Sequence, residues 1–139
     1  MRIPGLSVEL DLEGVPWRTT RVDGVSWLPL DPDADRLPPA AAGERRGAGA
    51  REGGAVLIRM APGMGYEEHR HLGVEYVLVL QGGYRDELGE YTRGAFVSYP
   101  AGGGHAPVAL GDPHRPADAG NPACVLFAVA TGGIELLRR

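Results

Sequence analysis

Apolar residues in this chain come in short bursts of strand length. The runs are Ala55–Met60, Glu75–Leu80, Ala95–Tyr99, Ala106–Leu110 and Cys124–Ala130. Gly or Pro marks nearly every junction around them: Pro62-Gly63, Gly82-Gly83, Gly89, Gly94, Pro100 to Gly104, and Gly111 to Pro122. Short apolar runs closed by turn residues predict the strands of a β-sandwich or barrel. In the second run the alternation is explicit: Glu75, Val77 and Val79 fall on one face of a strand, Tyr76 and Leu78 on the other. No internal repeat is visible, and no amphipathic helix longer than a couple of turns.

Two further strand-like pieces precede this block, Leu6–Leu12 and Val22–Leu30, the second containing Trp27. Asp31 to Gly54 is rich in Pro, Ala, Gly and charge and has no periodicity. Such a segment buries too little apolar surface to hold one conformation, which predicts a long loop, either a lid or an ordinary surface excursion. Ile134–Arg139 reads as a terminal strand or a frayed tail. The expectation is one all-β domain over residues 1–139, with its core at 55–131 and irregular loops at 31–54 and 111–122.

Composition agrees. The 22 Gly and 12 Pro suit many short strands and tight turns, and 139 residues suffice for one core without disulfides. Net charge is −4, and all 14 basic residues are Arg, adjacent only at Arg45-Arg46 and Arg138-Arg139. The basic face of a nucleic-acid binder is missing. Cys124 is the single cysteine, so no disulfide within the chain can form, and its apolar neighbours predict a buried thiol. Met1 to Leu12 lacks the apolar segment of a signal peptide, and no apolar run approaches the ~18 residues of a membrane span. A soluble cytoplasmic protein without a membrane partner is expected.

The candidate chemistry lies in three of the four histidines. His69 and His71 are two apart, which in a strand places both imidazoles on one face. Leu72-Gly73-Val74 is short enough to be a turn, so Glu75 can bring its carboxylate to the same side, at the mouth of a hairpin. His105 follows Pro100-Ala101-Gly102-Gly103-Gly104, where no large side chain obstructs a sharp approach to the interior. Three imidazoles and one carboxylate suit Fe, Mn, Ni or Zn and suit Ca or Mg poorly. On a metal preferring five or six ligands, open positions would admit water or substrate; on tetrahedral zinc the same four would close the site. His114, within Gly111 to Pro116, reads as an exposed loop histidine outside this group.

These residues fall in a spaced pattern. Gly63, five residues, His69, one, His71, three, Glu75, six, Gly82 forms the first half; Gly94, five, Pro100, one, Gly102, two, His105 forms the second. The pattern resembles the two motifs of the cupin family, matching nine of ten specified positions; the tenth, usually Asn, is Ala109. Arg59 to Pro62, Gln81 to Tyr91 and Gly102 to Pro107 are similar to the metal-binding cupin of ChrR-type anti-sigma factors and stand-alone relatives. The resemblance implies a jelly-roll β-barrel holding one divalent transition metal per chain on His69, His71, Glu75 and His105. It further implies a small-molecule ligand or substrate and a homodimer, built by pairing edge strands with the N-terminal strand as an exchange element. Those regulators grip their sigma factor with an N-terminal helical domain for which this chain has no room, so direct sigma-factor binding is not expected.

Small iron(II) dioxygenases of the same family suggest an enzyme cleaving carbon–carbon bonds with oxygen. The alternative is a non-catalytic zinc-binding module that responds to a ligand or to redox state. A divalent ion beside one carboxylate carries a formal charge of about +1, which favours an anionic, oxygen-rich ligand. Arg59 is a candidate partner for that ligand's negative group or else part of a surface ion pair. Of Tyr66, Tyr76, Tyr84, Tyr91 and Tyr99, most are expected on the sandwich surface or an interface, with room for one proton donor in the cavity.

Overall fold

The computed structural model describes residues 12, 14–30 and 54–137. All the regular elements among these residues are strands: β1 (Arg18–Thr19), β2 (Val25–Pro29), β3 (Gly54–Met60), β4 (His69–His71), β5 (Glu75–Gln81), β6 (Gly83–Arg85), β7 (Glu90–Thr92), β8 (Phe96–Tyr99), β9 (Gly104–His105), β10 (Val108–Ala109), β11 (Cys124–Ala130) and β12 (Ile134–Leu136). They form a six-stranded sheet in the order β1-β2-β3-β11-β5-β8 and two three-stranded sheets, β10-β6-β7 and β12-β4-β9. Every pairing is antiparallel. The all-β architecture expected from the short apolar runs and turn residues is what the described residues adopt.

The large sheet owes its two faces to strict alternation. On β3, β5 and β11 the residues Val56, Met60, Val77, Val79, Leu126 and Ala128 turn inward and bury with Tyr84 and Tyr99 in one apolar cluster. Their neighbours Leu57, Leu80 and Val125 turn outward into a second cluster, covered by Leu12, Val15 and Trp17 of the N-terminal segment. β-Branched and aliphatic side chains pack well on such pleated surfaces. β11 is held from Cys124↔Met60 to Ala130↔Gly54 on one side and against β5 on the other.

Several boundaries differ from the expected ones. β3 opens at Gly54, one residue inside the expected loop, because its backbone still pairs with Ala130; the rest of that loop, and Leu6–Leu12 apart from Leu12, lie outside the described residues. β2 begins at Val25 and not at Val22, since Asp23 and Gly24 form a turn before it. Of the run Ala106–Leu110, Val108 and Ala109 pair with β6 as a strand. Ile134–Leu136 is a strand, paired with β4. The loop 111–122 contains no strand and is organised by buried Asn121. Its side-chain amide donates to the carbonyls of Asp112, Arg115 and Pro116, and its carbonyl accepts from the Asp112 N–H. A buried amide with all these partners fixes a loop that has no ladder of its own.

Candidate metal centre

The three imidazoles come from one small sheet and the carboxylate from the large one. β4 alternates buried, exposed, buried, which aims His69 and His71 inward and leaves Arg70 outside, paired with Glu135. β9 lies against β4 with His105 opposite His69. Its close approach depends on Gly104, where a Cβ would sit 2.7 Å from the His69 carbonyl oxygen. The turn into β9 uses Gly102 at φ 81°, a conformation closed to most side chains, and its N–H donates to the His71 carbonyl. The expected hairpin between the His-x-His strand and Glu75 does not form. β4 pairs with β9 and β12, whereas β5 pairs with β11 and β8. The turn at Leu72 to Val74 carries the chain from one sheet to the other, and Glu75 faces the histidines across the interior.

His69, His71, Glu75 and His105 are all buried, and one donor atom from each lies within 4.8 Å of the other three. The imidazole centroids stand 4.6–5.1 Å apart in a near-regular triangle. His71 Nε2 is 3.0 Å from Glu75 Oε2, and His105 Nε2 is 3.9 Å from the same oxygen. The first pair is close without the alignment of a hydrogen bond, so neither ring nitrogen of this wholly buried imidazole has a hydrogen-bond partner. Unpaired buried polar atoms are rare because they cost free energy. A cation accepting the lone pairs of these side chains would remove much of that cost, and the group could hold one.

The ring orientations agree with that role. His69 Nδ1 lies 2.9 Å from the Glu67 carbonyl, which can only accept, so Nδ1 carries the proton and Nε2 keeps its lone pair. Burial lowers the His69 pKa from 6.5 to about 4, overriding the opposing effect of that hydrogen bond. The imidazole is therefore neutral near pH 7, the state in which it ligates metal.

Behind His105 lies a buried arrangement that the sequence did not disclose. Asp86 Oδ2 is 2.8 Å from His105 Nδ1 and accepts a 2.6 Å hydrogen bond from the Tyr99 hydroxyl. The Tyr99 hydroxyl in turn meets the Tyr84 hydroxyl at 2.6 Å. Burial would raise the Asp86 pKa, but hydrogen bonds from Tyr99, His105 and the Leu88 N–H outweigh it and hold the carboxyl below its usual value. Burial pushes both tyrosines far above theirs, so they remain protonated. Tyr84 and Tyr99 thus belong to the core and not to the surface. Asp86 lies in the charged stretch Arg85-Asp86-Glu87-Leu88-Gly89-Glu90, within the Gln81–Tyr91 segment noted only for its resemblance.

An apolar cavity opens beside the group, lined by Val25, Trp27, Val56, Ile58, Met60 and Leu126 together with His69, Glu75 and His105. Tyr66 lines it too, its ring edge-on to His69. Arg59 does not reach it: Ile58 and Met60 point inward, so Arg59 falls on the outer face with Leu57. Tyr76 also points outward and stacks on Phe96. His114 sits in an exposed turn outside the group, and Cys124 is wholly buried, with burial raising its thiol pKa to about 12. Among the described residues no helix is long and apolar enough to cross a membrane.

Comparison with known proteins places this geometry. A family model described as the ChrR cupin-like domain matches residues 46–115. A chain in the crystal structure of Rhodobacter sphaeroides SigE in complex with the anti-sigma ChrR is 28% identical, with a TM-score of 0.57. That match covers 85% of this chain and 49% of the other, so this chain spans about half its length. A sugar phosphate isomerase of the cupin superfamily from Silicibacter pomeroyi is also 28% identical, at a TM-score of 0.53, covering 87% of this chain and 74% of that one. An acetylacetone dioxygenase from Acinetobacter johnsonii, 11% identical at a TM-score of 0.61 and covering 99% and 81%, shares the fold alone. No curated protein matches the chain. The matched span takes in both halves of the spaced pattern and all four converging side chains, and the chain belongs to the ChrR cupin-like domain family of cupins.

Proposed function

We propose that this protein binds one divalent transition metal through His69, His71, Glu75 and His105 and uses it on a small oxygen-bearing molecule, as a metal-dependent enzyme. The observation that carries the reading is the convergence of three buried imidazoles and a carboxylate with their donor atoms within 4.8 Å of one another. Iron, zinc, manganese and nickel all suit three nitrogens and one carboxylate oxygen. The metal would supply a Lewis-acidic centre and, if it is iron(II), a site for oxygen chemistry.

The protein's own part is to orient and to exclude water. The cavity wall accepts a small apolar body, while the ligand's oxygens lie toward the histidines. Among the described residues no arginine lines the cavity, which favours an enolate or carboxylate with an apolar remainder over a phosphorylated ligand. Oxygen-dependent cleavage of a carbon–carbon bond is the most concrete version.

The test is purification under argon, metal analysis, reconstitution with Fe(II), and oxygen uptake with a panel of small β-diketones. Uptake with a stoichiometric metal supports the enzyme. Metal at one per chain with no uptake across the panel turns the reading to a second one, a zinc-binding regulatory module. That second reading is favoured by the 28% identity to a chain of the sigma–anti-sigma complex. It expects zinc retained at one per chain, no turnover and a co-purifying protein. A homodimer is expected in either case, and sedimentation measures it.

A further inference from the structure

We propose that Asp86, braced by Tyr99 and through it by Tyr84, is the positioning residue of the metal centre: it holds His105 with Nδ1 protonated and so turns the lone pair of Nε2 toward His69, His71 and Glu75. The inference rests on the metal reading above and concerns residues outside the ligand set.

Hydrogen-bond directions settle the proton positions one after another. Asp86 Oδ1 accepts from the N–H groups of Leu88 and Gly89, at 2.9 and 3.1 Å. Its Oδ2 faces the Tyr99 hydroxyl and His105 Nδ1, at 2.6 and 2.8 Å. An ionised carboxylate can only accept, and here both oxygens are engaged by two donors each. An unprotonated Nδ1 at 2.8 Å would set two acceptors against each other, so this nitrogen carries its hydrogen. The Tyr99 proton is committed to Asp86, which leaves Tyr84 to donate to the Tyr99 oxygen. Tyr84 and Tyr99 are 0% and 2% exposed, so water does not compete for these bonds.

The three imidazoles are therefore held differently. His69 is set by a main-chain carbonyl, which no side-chain substitution removes. His71 has no hydrogen-bond partner at either nitrogen. His105 is set by a side chain, fixed from behind by two tyrosines of the barrel core. A hydrogen-bonded partner on the far nitrogen fixes a ligating histidine's tautomer and raises its basicity, and its loss typically costs 10–100-fold in metal affinity. Asp86 also places a second carboxylate behind the group besides Glu75.

The experiment has two independent readouts. In metal-free protein at pH 7.5, the nitrogen chemical shifts of His105 report its tautomer; Nδ1 protonated and Nε2 bare is expected, and the opposite tautomer overturns the proposal. Affinity for Zn(II) and Co(II) is then measured by chelator competition, with the Co(II) visible spectrum reporting coordination. Asp86→Asn is expected to weaken binding roughly 10–100-fold and to alter that spectrum. Tyr99→Phe should weaken it less, and Tyr84→Phe least. Asp86→Asn binding as tightly as the unmodified protein overturns the positioning role and leaves the metal reading intact. If the unmodified protein binds neither ion while showing the expected tautomer, the metal reading itself fails. Should Asp86→Asn not fold, as circular dichroism would show, Tyr99→Phe and the tautomer decide: a Tyr99→Phe protein of unchanged affinity and spectrum overturns the proposal.

Discussion

The two faces of the large sheet are built from the same three central strands and meet different demands. Outward, Leu57, Leu80 and Val125 are closed over by Leu12, Val15 and Trp17, an apolar contact in which packing accounts for everything seen. Inward, the row Val79, Val77 ends in Glu75, a carboxylate 6% exposed among three imidazoles. Burying a charge is costly unless it is compensated. Apolar packing explains one face completely, and on the other it stops where the polar cluster begins. That break in an otherwise regular alternation marks where stability gives way to chemistry.

Substitutions should separate the faces. The largest effect is expected from His71→Ala, which removes a ligand outright. Metal affinity should fall by more than the ~100-fold upper range for losing a mere supporting partner, measured by chelator competition with folding followed by circular dichroism. Next, Leu57→Ala on the outer face should lower unfolding free energy by about 2–5 kcal/mol, seen as a lower denaturant midpoint, with metal stoichiometry unchanged. If that variant loses metal while still folded, the faces are coupled and the comparison fails.

Acid should act through the inner face. The folded-state pKa of His69, about 4, lies below its ordinary 6.5. The unfolded chain thus takes up this proton first, and stability that is complete above pH 6.5 is lost as the pH falls through 4. The loss is on the order of 3 kcal/mol for this group. Asp86, with its pKa depressed, adds a loss in the same direction at lower pH. Chemical denaturation of the metal-free protein across this range measures it, and flat stability from pH 7 to 4 would contradict the buried neutral imidazole. The smallest effects are expected from Arg59→Ala and His114→Ala, which should leave metal affinity unchanged. A marked loss from Arg59→Ala would place that residue back on the inner face.

Local pattern carried much of this fold. Cys124–Ala130 was legible to the residue, because a run of that length between turn signals has no other good fate. The inward set Glu75, Val77 and Val79 followed from period two alone. His69 and His71 were legible from strand period alone, and Glu75 and His105 through the spaced pattern that resembles the cupin motifs, since His105 reaches the others by the pairing of β9 with β4. What remained hidden depends on partners distant along the chain. Tyr99 lies opposite Glu75 through the pairing of β8 with β5, and Asp86 comes alongside His105 where β6 pairs with β10. The hairpin expected around Leu72 to Val74 failed for the same reason, since a short turn does not reveal whether its strands pair or part.

The position of β11 bears on how the protein is made. It is hydrogen-bonded between β3 and β5, both of which are synthesised well before it. A nascent chain leaving the ribosome therefore carries two apolar strands with unsatisfied edges until Cys124–Ala130 emerges. Closure of the sheet must await synthesis of Cys124–Ala130, and pairing over such separations is slow and prone to aggregation. A premature stop ahead of Cys124 should yield insoluble product, not a smaller working barrel.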